Sequence, residues 1–482
     1  MERSTDLNIG KKAFISSAII LLIMMLMAGL MTRFIPAGSF DRKLINGREV
    51  IQPGTYHLTQ EKTYPVWRWF TAPVEVLGGP ENIIIITIII FILIVGGSFS
   101  LLSKSGVLRY SIETVVKRFT GQKYYLLAGI VFIFMVFGAV LGTFEEIIPL
   151  VPVVVTLAYS LGWDSLTGLG MSLLAAGFGF ASAIANPFSV GVAQKLAGLP
   201  MFSGAFFRII VFLVIYALLS FFLIRYTTKL EKNPKISPVY QEDISARKGL
   251  PKTEEEMSEG DDKLIKAVRW FVGIVAAMLI VILITSFIKS ISDFTLPLIA
   301  LLFLIGGVGS ALISGMTGQK VIGQFLLGVT NIAPGIILIL MATSVKHIIS
   351  QSGIMDTILY YAANYISGKG PFTAVILIYI FVLFINFFIG SASAKAFLIM
   401  PIVTPLADLI GINRQIAVLA FVFGDGFSNV IYPTNAVLLI GLGLTVVNYP
   451  KWFKWIIKLQ IIIFLITSIF LGIAMYINYG PY

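Results

Sequence analysis

Four charged side chains lie within long apolar stretches of the sequence. Burial of a charge there costs free energy, so each of these residues is a candidate for a function. They are Glu145, Glu146, Lys395 and Asp425. Insertion of one such charge into the centre of a membrane costs about 2.5–3.5 kcal/mol. Carboxylates and an ammonium can bind a charged solute, pair with each other or exchange protons with water. We therefore expect these side chains to form either a binding site or a buried ion pair.

Neutral polar residues close to these charges in the sequence can complete such a site. Amides offer two donors and an acceptor, and hydroxyls can both donate and accept. The candidates are Thr143, Asn186, Ser391, Ser393, Ser428, Asn429, Thr434 and Asn435. The alternative for Asn186 and Asn435 is the capping of a helix, and the alternative for Asp425 is a hydrogen-bonded structural acid.

The composition indicates that membrane-spanning helices must position these residues. Hydrophobic residues make up 57% of the 482 residues and charged residues 12%, against about 45–50% and about 25% in soluble domains. This excludes an ordinary soluble enzyme, and the absence of cysteine excludes disulfides and thiolate sites. Apolar runs long enough to span a membrane lie at 13–34, 82–102, 203–226, 267–289, 295–314 and 455–477.

The basic residues predict how the chain is oriented. The net charge of +11 comes mostly from Lys and Arg in the loops between apolar runs, which is typical of a multi-span membrane protein and not of a nucleic-acid-binding protein. Lys11, Lys12 and the basic segment 104–123 predict a cytoplasmic N-terminus, and the uncharged C-terminal residues can lie outside. We expect a protein of the bacterial cytoplasmic membrane whose partners are lipid and a small-molecule substrate.

An internal repeat relates the two halves of the chain. At constant separation, Pro152 pairs with Pro401, Gly162 with Gly411, Gly177 with Gly426 and Asn186 with Asn435. Chance similarity between apolar helices is the alternative, but aligned Gly and Pro each impose a backbone feature. Paired Gly/Pro-interrupted segments are typical of duplicated transporters. Because 104–123 is basic and its partner 351–370 is not, we expect the two copies to be inverted.

Each copy is predicted to contain a re-entrant hairpin followed by a broken helix. The hairpins, 124–162 and 372–411, are too long for one span and too short for two, and a polar tip divides each. The broken helices are 165–198 and 415–447. Non-helical backbone at membrane depth must face protein or a water-filled cavity, so the tips and breaks are expected to line the site. The predicted organisation is an N-terminal span 1–34, an extracytoplasmic loop 35–80, repeat 1 at 82–226, a cytoplasmic linker 227–264, scaffold spans 267–314 and repeat 2 at 331–477.

The motifs at these tips and breaks resemble those of a known transporter family. The segments GTFEE, ASAIANPF, GSASAK and FGDGFSNVIYPTNAVL closely resemble the YfcC-like branch of the C4-dicarboxylate carrier and basic amino acid antiporter family, within the ion transporter superfamily. The resemblance implies a homodimeric elevator-type secondary transporter of arginine, ornithine or related amino acids, with dicarboxylates more distant. The tips lack the Ser-Asn-Thr of sodium-coupled relatives, which favours a proton over sodium as the coupling ion and implies no other cofactor.

The charge of the site favours a cationic substrate. Under the repeat alignment Glu146 and Lys395 occupy the same position, so we expect them to face each other, either as a structural ion pair or around a substrate. In the second case Lys395 would bind a carboxylate, and Glu145 and Glu146 an amino group or cationic tail. Three carboxylates and one ammonium leave the site near −2, which suits a basic amino acid better than a dicarboxylate.

Other functional classes lack their motifs. An intramembrane aspartyl protease would need Gly-x-Gly-Asp and a Tyr-Asp partner, whereas the chain has Val-Phe-Gly-Asp at 422–425 and no Tyr-Asp. There is no His-Glu-x-x-His and no P-loop Gly-Lys-Ser/Thr, so neither a metalloprotease nor ATP-driven pumping is expected. A channel favours a continuous pore, whereas paired broken helices favour a carrier. Among carriers, the sequence leaves three substrate classes open: basic amino acids, C4-dicarboxylates and short-chain acids.

Overall fold

The computed structural model describes residues 11–45, 48–59, 64–79, 82–119, 121–248, 262–287 and 294–480. The first ten residues of the predicted N-terminal span, residues 249–261 of the predicted linker and the last two residues of the chain lie outside these ranges. Within them the protein is predominantly helical.

The structure describes the following α-helices between the N-terminus and the linker, the last of which lies in the linker. They are α1 (Lys11–Phe34), α2 (Val66–Glu75), α3 (Asn82–Lys104), α4 (Val107–Arg118), α5 (Lys123–Val136), α6 (Val151–Ser160), α7 (Ser165–Leu169), α8 (Ala175–Ser182), α9 (Val192–Leu196), α10 (Ala205–Lys232) and α11 (Tyr240–Lys248).

The α-helices of the second half follow the linker. Its helices are α12 (Asp262–Phe287), α13 (Thr295–Ile313), α14 (Gly318–Ile332), α15 (Pro334–Gln351), α16 (Ile354–Ser367), α17 (Pro371–Asn386), α18 (Ala392–Ile410), α19 (Arg414–Gly426), α20 (Ala436–Gly443) and α21 (Tyr449–Tyr476).

Ten helical stretches of the described residues are long and apolar enough to cross a membrane. Two further apolar helices, Ile148–Ser160 and Pro371–Asn386, are shorter. Each belongs to a predicted hairpin, where it is paired with a helix of spanning length, Lys123–Leu141 in the first and Ala392–Ile410 in the second. The chain is therefore a multi-pass membrane protein.

Two helices of each half pack on one helix of the opposite half. Helix α1 packs on α15, and α13 packs on α3; likewise α2 packs on α15, and α14 packs on α3. Helix α14 falls between the predicted segments 267–314 and 331–477 because its apolar residues alternate with polar ones and form no continuous run. One of those polar residues, Gln324, donates from Nε2 to Ser100 Oγ on α3 at 2.7 Å.

The loop predicted at 35–80 folds onto the second half. Its strands form two antiparallel pairs, β1 (Gly38–Ser39) with β4 (His57–Leu58) and β2 (Arg42–Ile45) with β3 (Arg48–Ile51). Arg42 Nη2 donates to both carboxylate oxygens of Asp356, at 2.9 and 2.8 Å, in the first turn of α16. The backbone N–H of Phe40 donates to the same carboxylate at 2.9 Å. This loop is thus anchored next to the second hairpin.

The described part of the linker is held to the end of the first hairpin and the start of α7 by a buried carboxylate. Asp243, on α11, accepts hydrogen bonds from Tyr159 Oη at 2.8 Å and Ser165 Oγ at 2.7 Å. Its burial raises the pKa of Asp243 to about 6, and the nearby carboxylate of Asp164 acts in the same direction. The linker contact is therefore sensitive to protonation.

Candidate functional site

The two hairpins turn at polar tips. In the first, α5 continues through a π-helical turn, Phe137–Leu141, to Gly142, whose φ of 69° is left-handed. A short tip at 142–147 then leads through a 3-10 turn, Ile148–Leu150, into α6. In the second, α17 ends at Asn386, and Ser391 caps α18 by accepting from the backbone N–H of Ala394 at 3.4 Å.

The helix after each hairpin is interrupted at a polar segment. In the first, α8 ends at Ser182, Ala183 adopts a positive φ of 41°, and helical structure resumes at Pro187. In the second, α19 leads through a 3-10 turn, Phe427–Val430, into a break at 431–435 before α20. These are the polar segments at which the sequence predicts the breaks.

Two asparagines cap the resumed helices. Asn186 Oδ1 accepts from the backbone N–H groups of Phe188 and Ser189 at 2.9 and 3.2 Å. Asn435 Oδ1 accepts from the backbone N–H of Leu438 at 3.2 Å. Capping uses only the amide oxygen of each side chain. Asn435 Nδ2 donates to Asn429 Oδ1, whereas Asn186 Nδ2 has no partner among the described residues.

Glycines bring the tips and breaks together. A Cβ on Gly426 would lie 2.2 Å from the Cα of Ala181, so α8 and α19 cross in backbone contact immediately before their breaks. A Cβ on Gly142 would lie 2.4 Å from Asn186 Oδ1. The first tip therefore rests on the first break, and the two breaks lie beside one crossing point.

Lys395 pairs with Asp425, so the first of the two alternatives for Glu146 and Lys395, a structural ion pair between them, is wrong. Lys395 Nζ donates to Asp425 Oδ1 at 2.5 Å, and both side chains are fully buried. Glu146 Oε2 instead accepts from the backbone N–H of Phe144 at 3.1 Å, within its own tip. Helix α18 packs on α19, which carries Asp425 at its C-terminal end, so Lys395 in the first turn of α18 reaches this carboxylate.

Asn386 is a functional candidate that the sequence analysis did not identify. Its Oδ1 accepts from Lys395 Nζ. Its Nδ2 lies 3.0 Å from the carbonyl oxygen of Asp425, 2.6 Å from Ser428 Oγ and 3.0 Å from Asn429 Oδ1. The signal was a lone amide at the end of an apolar helix, where an unpaired amide is costly.

The remaining predicted residues lie in different environments. Asn429 is buried and its Oδ1 accepts from Asn435 Nδ2 at 3.2 Å. Ser393 and Thr434 are half-buried, and Ser391 is exposed. Glu145 and Glu146 are half-buried.

Four buried polar atoms near the crossing have no hydrogen-bond partner among the described residues. Three belong to the first tip and break and can donate: Thr143 Oγ1, Asn186 Nδ2 and Ser189 Oγ. The fourth, Asp425 Oδ2, belongs to the second half and is an acceptor when ionised. The two halves thus present complementary hydrogen-bonding groups.

Arg208 is a second buried cation that the sequence analysis missed. It lies in the first turns of α10 and is 1% exposed. Its guanidinium donates to the carbonyl oxygens of Ala183 at 2.9 Å and Ile184 at 2.9 Å, in the first break. It also donates to the carbonyl of Ser203 at 2.7 Å. The sequence signal was an arginine inside the apolar run predicted at 203–226.

Comparison with known proteins gives a consistent family. The model of the family described as "DcuC: C4-dicarboxylate anaerobic carrier" matches residues 14–476. The chain is 30% identical to the Escherichia coli protein named "Putative basic amino acid antiporter YfcC" over 485 residues, which cover 94% of each chain. It is 25% identical to an uncharacterised Haemophilus influenzae protein over 423 residues, covering 88% of this chain and 81% of that one.

Two solved structures are similar over most of the chain but only at a low level. The YdaH transporter of Alcanivorax borkumensis has a TM-score of 0.43 and 16% identity, with 96% of this chain and 100% of that chain covered. MtrF of Neisseria gonorrhoeae has a TM-score of 0.40 and 17% identity, with 96% and 95% covered. These values are too low to transfer any detail.

Proposed function

The chain belongs to the DcuC family of C4-dicarboxylate anaerobic carriers, and on this premise we propose that it is a secondary transporter that exchanges basic amino acids such as arginine and ornithine. The observation that carries the proposal is the group of buried and half-buried charges around the crossing of the two broken helices. A charge at membrane depth marks a functional site by default.

The sign of this charge supports a cationic substrate. Glu145, Glu146 and Asp425 supply three carboxylates, and Lys395 and Arg208 supply two cations, which leaves −1 if all are ionised. Arginine and ornithine carry a net charge of +1 and would neutralise the region. A dicarboxylate would add two negative charges, so it would have to enter with cations.

The hydrogen-bonding groups support one orientation of an amino acid. Thr143, Asn186 and Ser189 of the first half can donate to a carboxylate. Asp425, with its unpartnered Oδ2, and Glu145 can accept from an amino group or a cationic tail. Lys395 is enclosed by Asn386 and Asp425, so we no longer assign it to the substrate carboxylate.

Coupling to protons is proposed for the same residues. The carboxylates of Glu145 and Glu146 are half-buried and can exchange a proton when the site faces water. Lys395 already supplies a cation to Asp425, which favours proton coupling over sodium coupling. No other cofactor is part of the proposal.

Alternating access by two inverted halves is proposed as the mechanism. It is supported by the reciprocal packing of α1 on α15 and of α13 on α3, which is the pattern expected of two halves related by a pseudo-two-fold axis. The resemblance given above adds an elevator motion within a homodimer. We assign the protein to the cytoplasmic membrane with its N-terminus inside and its C-terminus outside.

Counterflow in liposomes tests the function. Purified protein in vesicles loaded with ornithine should take up labelled arginine, and empty vesicles should take up far less. A channel would show no such stimulation by internal substrate. C4-dicarboxylate transport is the second candidate, favoured by the description of the family. Robust succinate uptake without arginine–ornithine exchange would overturn the proposal in favour of this candidate.

A further inference from the structure

We propose that Arg208 is a specificity-determining positioning residue, whose buried charge makes the first break select substrates that carry a carboxylate. This inference rests on the proposed transport of basic amino acids. It adds to that proposal the reason why an amino acid would be preferred over the corresponding amine.

The geometry of Arg208 joins the first break to the start of α10. Its Nε and Nη2 donate to the carbonyl oxygens of Ala183 and Ile184. Its Nη1 donates to the carbonyl of Ser203 at 2.7 Å and to Tyr479 Oη at 3.2 Å. All of these acceptors are neutral, so no carboxylate of the described ion pairs cancels its charge. The positive field of Arg208 therefore extends into the break.

The second break offers an internal comparison. Carbonyl groups at its beginning are also held from the start of a later helix, here α21, but by neutral donors. Trp452 Nε1 donates to the carbonyl of Val430 at 2.7 Å, and Tyr449 Oη donates to that of Ile431 at 2.9 Å. A neutral donor is thus sufficient to hold a break. The arginine adds a charge that this structural task does not require.

The charge is near enough to affect a bound carboxylate. Asn186 follows Ile184 by two residues, and consecutive Cα atoms are 3.8 Å apart, so the guanidinium lies on the order of 10 Å from the Asn186 amide. At that separation and an effective dielectric constant of about 20, two unit charges interact strongly enough to change a binding constant roughly tenfold. A substrate whose carboxylate lies beside Thr143 and Asn186 would therefore bind more tightly by this roughly tenfold factor.

Competition between arginine and agmatine measures the effect. Agmatine has the same guanidinium and carbon chain but lacks the carboxylate. Each is used to compete with labelled arginine entering ornithine-loaded vesicles that contain the full-length protein. We expect the wild type to bind arginine more tightly than agmatine. In Arg208→Gln the ratio of the two affinities should fall roughly tenfold.

Two further variants separate charge from structure. Arg208→Lys keeps the charge but loses the planar group of donors, so it should exchange more slowly while its arginine-to-agmatine ratio stays within about threefold of the wild type. Trp452→Phe removes the neutral donor at the second break. It should slow the exchange of both substrates equally and leave the ratio unchanged.

Three results would overturn the inference. The first is an Arg208→Gln ratio within twofold of the wild-type ratio. The second is equal competition by arginine and agmatine in the wild type, which decides the matter even if Arg208→Gln does not fold. The third is an equal change of ratio in Trp452→Phe. Absence of arginine–ornithine exchange by the wild type is a separate result: it overturns the proposed function, and this inference with it.

Discussion

Replacement of Lys395 by methionine tests whether Asp425 depends on its ammonium. Methionine has nearly the length of the lysine side chain but no charge, so Lys395→Met leaves the Asp425 carboxylate buried without a counter-ion. Loss of one partner of a buried pair costs about 3–5 kcal/mol. The contact is well suited to this test because both side chains are fully buried and Nζ lies 2.5 Å from Oδ1.

The assay is thermal unfolding in detergent, followed by tryptophan fluorescence. At about 2 cal/mol/K of unfolding entropy per residue, a chain of 482 residues shifts its Tm by roughly 1 °C per kcal/mol. Lys395→Met should therefore lower the Tm by roughly 3–5 °C. The double variant Lys395→Met with Asp425→Asn should recover most of this loss, since the unpaired charge is gone.

A partly exposed lysine outside the buried site provides the matched control. Lys369 is half-buried, and its Nζ lies 4.5 Å from the centre of the Tyr365 ring. Lys369→Met should change the stability by less than about 1 kcal/mol. The reasoning is refuted if Lys395→Met unfolds at the wild-type temperature, or if the double variant is no more stable than the single one.

Three further changes have direct readouts. Gly426→Ala should destabilise the protein by about 1–3 kcal/mol or more, because its Cβ would meet the backbone of Ala181. Gly129 has open space around it, so the control Gly129→Ala should be neutral or slightly stabilising. Equal Tm values of the two variants would contradict the close crossing of α8 and α19. The raised pKa of Asp243, about 6 against an ordinary 3.8, means that the folded state holds the proton more tightly, so its contribution to stability is present below about pH 4 and is lost as the pH rises through about 6. Asp243→Asn should remove roughly 3 kcal/mol of this pH dependence, and unchanged Tm profiles between pH 4 and 7 would count against it. Tyr361→Cys, at an exposed position of α16, should react with an impermeant thiol reagent only from outside, and labelling from the cytoplasm would reverse the proposed orientation.

The tips and breaks could be located from the sequence because the signals for them are local. Gly142, Pro187 and Asn435 each impose a backbone feature wherever they occur. Their spacing in the two halves gave the same elements twice. The helices that the structure describes there begin and end within a few residues of the polar segments.

The partners of the buried charges could not be predicted in the same way. Whether Lys395 meets Glu146 or Asp425 depends on the rotation of α18 relative to α19, and no local pattern encodes it. Asn386 and Arg208 were hidden for a different reason. Each is a single polar residue in an apolar run, and its importance is apparent only once the groups that surround it are known.

The reciprocal packing of α1 on α15 and of α13 on α3 has a consequence for biogenesis. The N-terminal half leaves the ribosome first, yet the surfaces of α3 that α13 and α14 cover have no partner until those helices are inserted. During translation these surfaces must face lipid or the insertion machinery. The first half therefore cannot complete its tertiary structure on its own, and its maturation has to wait for the synthesis of the second.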